Sequence, residues 1–74
     1  MSDADRALKW LETGKPLTPM DAFEQWGCYR LAARIWDLRK RGHTIETTII
    51  EGTDRHGERS RWASYKLIRK GESE

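Results

Sequence analysis

The side chains best suited to chemistry in this sequence are cations, and they are grouped in two segments. Arginine and lysine outnumber carboxylates between residues 29 and 41 and again between residues 55 and 70, whereas residues 1–26 are acidic on balance. Two basic segments beside an acidic start are typical of a protein that binds a polyanion with one face. The simpler alternative is that these charges only solvate a helix and a hairpin.

Catalysis and metal binding find little support in the sequence. We see no paired-carboxylate motif, no nucleophile–base pair and no glycine-rich phosphate loop, so we expect neither an enzyme nor a cofactor. His43 and His56 stand far apart without a third ligand. Cys28 is the single cysteine, which excludes an internal disulfide and a cysteine-based zinc cluster within one chain.

Length and hydropathy predict one small domain. A chain of 74 residues has room for one core, which supplies only about 3–5 kcal/mol of net stability. No apolar run approaches the roughly 18 residues that a membrane span needs, and the first residues lack the apolar stretch of a secretory signal. We therefore expect a cytoplasmic protein without membrane contact.

Local signals predict two helices in the first third of the chain. Ser2 and Asp5 have the spacing of a capping box. Thr18 and Pro19 are a typical N-cap and first helical residue of a second, short helix, which stops at Gly27. The expected spans are residues 3–13 and 19–26, with apolar faces formed by Ala4, Leu8 and Leu11 and by Ala22, Phe23 and Trp26.

A third helix and a hairpin complete the expected elements. The helix covers residues 28–41 and has an apolar stripe, followed by a basic last turn that complements its dipole. Alternating residues then predict strands over 44–50 and 61–67, separated by a polar turn over 52–57. The stripe consists of Cys28, Leu31, Ile35 and Leu38, and the inner strand positions are Ile45, Thr47, Ile49, Ala63, Tyr65 and Leu67.

This order of elements predicts an α+β fold, a winged helix-turn-helix with three helices followed by a two-stranded β-hairpin wing. A short helix, a glycine turn and a basic helix are the parts of a helix-turn-helix, whose second helix lies in the major groove of double-stranded DNA. We expect the domain to span residues 1–68 and a disordered tail to span residues 69–74.

Candidate DNA contacts follow from this arrangement. The recognition helix, residues 28–41, turns its outward side to the groove, where arginine bonds guanine through two donors and a small alanine lets the helix sit deep. Its last turn and the wing, residues 51–61, are suited to phosphates or the minor groove. The predicted contacts are Tyr29, Arg30, Ala33, Arg34, Lys40, Arg41, Arg55, His56, Arg59 and Arg61.

Several of these side chains have alternative roles that the sequence leaves open. Arg34 could instead pair with Glu24 or Asp21 on the second helix, and Tyr29 could stack within the fold. Trp36 is expected to pack under the wing, with a base or sugar contact as the alternative. The wing arginines could form no more than a solvated hairpin tip.

The sequence also resembles a family of short phage and prophage helix-turn-helix proteins over about residues 5–67. Their pattern is Arg-Ile-x-Asp-Leu-Arg-x-x-Gly, then an Ile-bearing strand and a closing Tyr-x-Leu. Here these positions are Arg34, Ile35, Asp37, Leu38, Arg39, Gly42, Ile45, Tyr65 and Leu67. The chain is similar as well to the winged helices of arsenical-type bacterial repressors, which reach DNA through the positions of Arg30, Ala33 and Arg34. Many relatives have a polar contact residue at the position of Ala33, so this sequence departs from the family pattern there.

The resemblance implies a transcription regulator of phage or prophage genes whose partner is double-stranded DNA. A rival function is a protein-interaction module that kept the fold without DNA binding, for example a phage protein that blocks a host factor. Exposed Tyr29, Trp36 or Trp62 would favour that rival, because aromatic side chains anchor protein interfaces. A homodimer is a further expectation that the sequence leaves open.

Overall fold

The computed structural model describes residues 2–71, and Met1 and residues 72–74 lie outside the described part. Three helices precede a two-stranded antiparallel hairpin, so the predicted fold class is confirmed. None of the helices described is long and apolar enough to cross a membrane. The elements are α1 (Asp3–Glu12), α2 (Pro19–Trp26), α3 (Leu31–Lys40), β1 (Thr44–Thr53) and β2 (Arg59–Arg69).

Capping boxes start the first two helices, as their sequences predict. The Ser2 hydroxyl accepts a hydrogen bond from the backbone N–H of Asp5, whose carboxylate accepts one from the N–H of Ser2. Thr18 and Asp21 repeat the arrangement before α2, with both distances at 3.1 Å. Each box satisfies two backbone donors that a helix start would leave unpaired.

The start of α3 differs from the prediction, because the helix begins at Leu31 and not at Cys28 or Tyr29. Gly27 ends α2 in the left-handed conformation, with φ 65° and ψ 25°. The Cys28 N–H still donates to the carbonyl of Ala22, so this residue belongs to the end of α2. Arg30, with φ −126° and ψ 54°, is the non-helical residue before α3.

The hairpin is longer than predicted. Ten residue pairs join β1 to β2, from Thr44↔Arg69 to Thr53↔Arg59, with a register shift beside Thr44. Gly52 was expected to end the strand but lies within β1, opposite Ser60. The ring of Trp62 covers it so closely that a Cβ there would lie 2.8 Å from Cη2 of the indole. The glycine therefore accommodates an aromatic ring and does not start the turn.

A third strand segment, which the sequence did not reveal, attaches the helices to the hairpin. Leu17 forms an antiparallel bridge with Tyr65, through two backbone hydrogen bonds of 2.8 Å. Its side chain is fully buried. The bridge places the start of α2 beside β2.

The core lies where the three helices meet the base of the hairpin. The predicted stripe of α3 is buried throughout, but Phe23 and Trp36, which were expected to be buried, are 45% and 59% exposed. In α1 the predicted Ala4 and Leu11 are buried, together with Ala7, whereas Leu8 is only partly covered. The core residues are Ala4, Ala7, Leu11, Leu17, Ala22, Cys28, Leu31, Ile35, Leu38, Ile45 and Tyr65.

The chain after β2 turns back onto the body as far as it is described. Arg69 still belongs to β2, one residue beyond the expected domain boundary. The N–H of Gly71 donates to Nδ1 of the buried His43 at 2.9 Å. The remainder of the predicted disordered tail lies outside the described residues.

Candidate nucleic-acid interface

The outward side of α3 carries fewer of the predicted contacts than the sequence suggested. Ala33 and Asp37 are only partly exposed, whereas Ala32, Trp36 and Lys40 are exposed. The Nζ atom of Lys40 lies 4.5 Å from the centroid of the Trp36 ring. The prediction that Trp36 packs under the wing is therefore wrong, because the indole faces away from the core.

At the start of α3, the structure brings three predicted contacts together. Tyr29, Arg30 and Arg34 line one shallow depression, together with Asp3 of α1. Tyr29 is 84% exposed and its ring lies 5.0 Å from that of Phe23. Both ring positions follow from the tight turn at Gly27, which directs the chain back past the end of α2.

Three predicted contacts are paired with carboxylates of the protein itself. Arg34 lies 3.3 Å from Asp37, not beside Glu24 or Asp21. Arg41 and Arg61 have their own carboxylate partners, at 3.4 and 3.9 Å respectively. Because all these side chains are at least one-third exposed, each pair contributes about 0–1 kcal/mol and opens at little cost.

The partner of Arg41 is Asp5, the acidic residue of the first capping box. Hydrogen bonds from Ser2, first from its side chain and then from its backbone, lower the pKa of Asp5, and Arg41 lowers it further. The carboxylate is therefore ionised at neutral pH. It joins the start of α1 to the end of α3.

Arg39 has a structural role that its place in the basic segment did not indicate. Its guanidinium donates to the carbonyl oxygen of Ile45 and to Oγ1 of Thr47, both on β1. It thereby fixes the end of α3 against the hairpin. The sequence signals were its place in the family pattern and its position one turn after Ile35.

The tip of the hairpin is built around Asp54. Its carboxylate accepts hydrogen bonds from the backbone N–H groups of His56 and Glu58, at 2.9 and 3.0 Å. Gly57 follows with φ 80°, a conformation that favours glycine. The turn presents the side chains of Arg55 and His56 to solvent.

The predicted wing contacts lie in separate places along the hairpin. Arg59 and Arg61 line a depression that runs along the strands beside the tip. Arg55 lines another, with Met20 at the start of α2 and Trp62. The hairpin tip therefore lies alongside the N-terminal end of α2.

Four of the ten predicted contacts are cations that have no carboxylate partner in the described part of the chain. Within residues 2–71, no carboxylate lies at ion-pair distance from the side chains of these residues. Two stand at the ends of α3 and two on the wing. They are Arg30, Lys40, Arg55 and Arg59.

Metal binding has no structural support within residues 2–71. No group of three or more histidine, cysteine, aspartate or glutamate side chains there could hold a metal ion. His56 is exposed at the tip, while His43 is buried against the C-terminal backbone.

The fold and its cationic helix define a winged helix-turn-helix, a class of domain that in general binds DNA and is typically not enzymatic. A family described as winged helix-turn-helix domain matches residues 2–70, so the chain belongs to that family. No curated protein and no solved structure gives a significant match.

Proposed function

We propose that this protein binds double-stranded DNA as a transcription regulator, with α3 in the major groove and the hairpin tip against the sugar–phosphate backbone. The observation that carries the proposal is a set of four exposed cations on α3 and the wing of a winged helix-turn-helix domain, none of which has a carboxylate partner within residues 2–71. Exposed cations that neutralise DNA phosphates displace the counterions condensed around the DNA. The release of these counterions supplies much of the free energy of DNA binding.

The proposed roles differ along α3. Arg30 and Arg34 stand at the end of the helix that enters the groove, and we assign them to base edges, with Tyr29 and Ala33 beside them. Arg34 must leave Asp37 to do so, which costs little because both side chains are more than one-third exposed. Lys40, together with Arg41 in the same last turn, is assigned to phosphates, which fix register without reading sequence.

The wing supplies the remaining proposed contacts. Arg55 and His56 at the tip and Arg59 and Arg61 on β2 are exposed, as side chains that meet a phosphate backbone or a minor groove must be. Arg61 must first leave Glu51, from which it is separated by 3.9 Å.

The biological setting is the least direct part of the proposal. Regulation of phage or prophage genes, in the cytoplasm, is proposed from the resemblance over residues 5–67. A single module of this size binds DNA weakly and with little specificity. We therefore also propose that two copies act together at paired half-sites.

A second candidate function is a protein-interaction module, for example a phage protein that blocks a host factor. Exposed aromatic side chains favour it, above all the contact between Phe23 and Tyr29. Arg30, next to Tyr29, is exposed and has no carboxylate partner within residues 2–71, and a free positive charge favours an anionic partner.

The test is a salt titration of binding to labelled duplexes by fluorescence anisotropy. With about four phosphates neutralised, log affinity should fall against log salt with a slope of about −4. Replacing both Arg55 and Arg59, two cations assigned to the sugar–phosphate backbone, by glutamine should reduce the slope to about −2. Lys9→Gln, which removes an exposed cation from α1, is the control and should leave the slope unchanged.

Two results would contradict the DNA-binding proposal. One is absent or salt-insensitive binding by the unmodified chain, which would favour the protein-interaction module. The other is an equal loss for Lys9→Gln and for the double arginine variant, since this would reflect net charge and not a defined surface.

A further inference from the structure

The indole ring of Trp36 stands on the outward half of α3. Core residues occupy the opposite side of the helix, and at 3.6 residues per turn Trp36 lies roughly 130° from the centre of that stripe. It is 59% exposed, and Ala32 and Lys40, one turn before and after it, are exposed as well. The ring is therefore presented to whatever α3 binds.

Two charged neighbours define the surroundings of this ring. The ammonium group of Lys40 lies at cation–π distance, 4.5 Å from the ring centroid. Much of the ring nevertheless stays accessible, since the side chain is 59% exposed. Asp37, next along the helix, is paired with Arg34, so its charge is offset. Trp36 is thus an exposed apolar group within a surface that is cationic on balance.

We infer that Trp36 contacts the C5-methyl group of a thymine, so that affinity depends on a 5-methylpyrimidine at that position. The inference rests on the proposed DNA binding. The thymine methyl is the apolar group that base pairs present in the major groove, and apolar side chains recognise it by contact. An exposed indole on the groove-facing helix has the matching chemistry.

Trp36 and Arg30 lie too far apart along the helix to contact the same base pair. Six residues along a helix correspond to about 9 Å, which is more than two base-pair steps of about 3.4 Å. Trp36 and Arg30 therefore meet different base pairs. The methyl contact makes affinity depend on the base at one further position of the DNA. Hydrogen bonds from arginine to guanine do not supply this dependence.

A protein surface is the other class of partner that an exposed tryptophan suits. The cations of the same helix argue against it, because Lys40 contacts the ring itself and Arg41 follows immediately. To seat Trp36 in an apolar protein pocket, the ammonium group of Lys40 would have to leave the ring, and the cation–π contact would be lost. In a DNA groove, the same ammonium group lies near phosphates.

The experiment removes the methyl group and nothing else. A preferred duplex is selected from a random pool with the unmodified chain, and each thymine is then replaced singly by deoxyuridine, which keeps the hydrogen-bonding edge. At one or two positions the affinity should fall about fourfold, the effect of losing one buried methyl group. Trp36→Ala should bind more weakly and respond to none of these replacements.

Two further variants make the comparison specific. Trp36→Phe keeps an apolar ring and should retain part of the methyl dependence. Ile68→Ala removes an apolar side chain that is 54% exposed on β2, and it should respond to deoxyuridine as the unmodified chain does. Circular dichroism checks that each variant is folded.

The outcomes separate this inference from the proposal it rests on. Salt-dependent binding with equal affinity for thymine and deoxyuridine at every position overturns the role of Trp36 and leaves DNA binding intact. A Trp36→Ala variant that keeps the methyl dependence overturns it too, because another residue must then make the contact. If the unmodified chain binds no duplex, both proposals fail and Trp36 is left as an anchor for a protein.

Discussion

The guanidinium group of Arg39 donates two hydrogen bonds to the carbonyl oxygen of Ile45, at 3.2 Å from Nε and 2.6 Å from Nη2. Nη2 also lies 2.8 Å from Oγ1 of Thr47. These bonds join the last turn of α3 to the first residues of the wing. Lys40, the next residue, forms no such bond and points to solvent over Trp36.

Adjacent cations should therefore respond differently to the same substitution. Arg39→Met leaves the Ile45 carbonyl without its partner and should lower the free energy of unfolding by about 1–3 kcal/mol. Lys40→Met should change it by less than about 0.5 kcal/mol but reduce the salt slope of DNA binding by about 1. Urea denaturation and anisotropy titrations measure the two effects. The opposite pattern would contradict the roles assigned to this pair.

Truncating the side chain of Leu17, the residue that bridges to β2, should cause a large loss of stability. Leu17→Ala empties a fully buried site and should cost about 2–5 kcal/mol. A domain of this size has only about 3–5 kcal/mol in total, so the variant should be largely unfolded or close to it. Tryptophan fluorescence during urea denaturation measures the change.

The control for Leu17→Ala is Ile68→Ala, which truncates an exposed aliphatic side chain on β2. It should alter the free energy of unfolding by less than about 0.5 kcal/mol. Similar small losses in both variants would mean that Leu17 does not hold the helices to the hairpin.

The capping box of α1 predicts a specific pH dependence. The pKa of Asp5 is lowered in the folded state, mainly by the Ser2 side chain, so its ionised form stabilises the fold. That contribution is complete above the ordinary carboxyl pKa of 3.8 and is lost as the pH falls through the lowered folded value. Asp5→Asn should thus be less stable than the unmodified chain at pH 7.

The stability difference between Asp5→Asn and the unmodified chain should shrink as the pH is lowered below 3.8. Denaturation at pH 7 and at successively lower pH values measures it. Asp3→Asn, which removes a nearby carboxylate paired with Arg6, is the control. A difference that stays constant or grows in acid would contradict the assignment of the lowered pKa to Asp5.

Local chemistry explains why much of the fold was predictable. The two capping boxes, the stop at Gly27 and the stripe from Cys28 to Leu38 each depend on residues within a few positions of one another. Such signals are complete in a short stretch of sequence. The order of elements then left few topologies to consider.

Tertiary packing explains what the sequence could not reveal. Helical spacing placed Phe23 with Ala22 and Trp26, but it could not show that Tyr29 would cover its ring from outside the core. The assignment of Trp36 to the underside of the wing failed because helical spacing alone does not fix where the hairpin lies.

The candidate site was only partly predictable for the same reason, because some of its charged side chains pair with residues far away in the sequence. Arg41 meets Asp5 across 36 residues, and no local pattern indicates such a pair. Arg39 resembled its basic neighbours until its bonds to β1 were seen. Free and paired cations are alike in sequence, so their separation needs three-dimensional coordinates.

The most direct test of the central claim is a map of the DNA-binding surface by ¹H–¹⁵N NMR, with a short duplex added at low salt. The backbone signals of Arg30 and of the hairpin tip around Arg55 should shift, and so should the indole N–H signal of Trp36. The indole N–H of Trp10, which is bonded to the carbonyl of Pro16, should stay in place. Shifts confined to α1 around Trp10, or none at all, would contradict DNA binding through α3 and the wing.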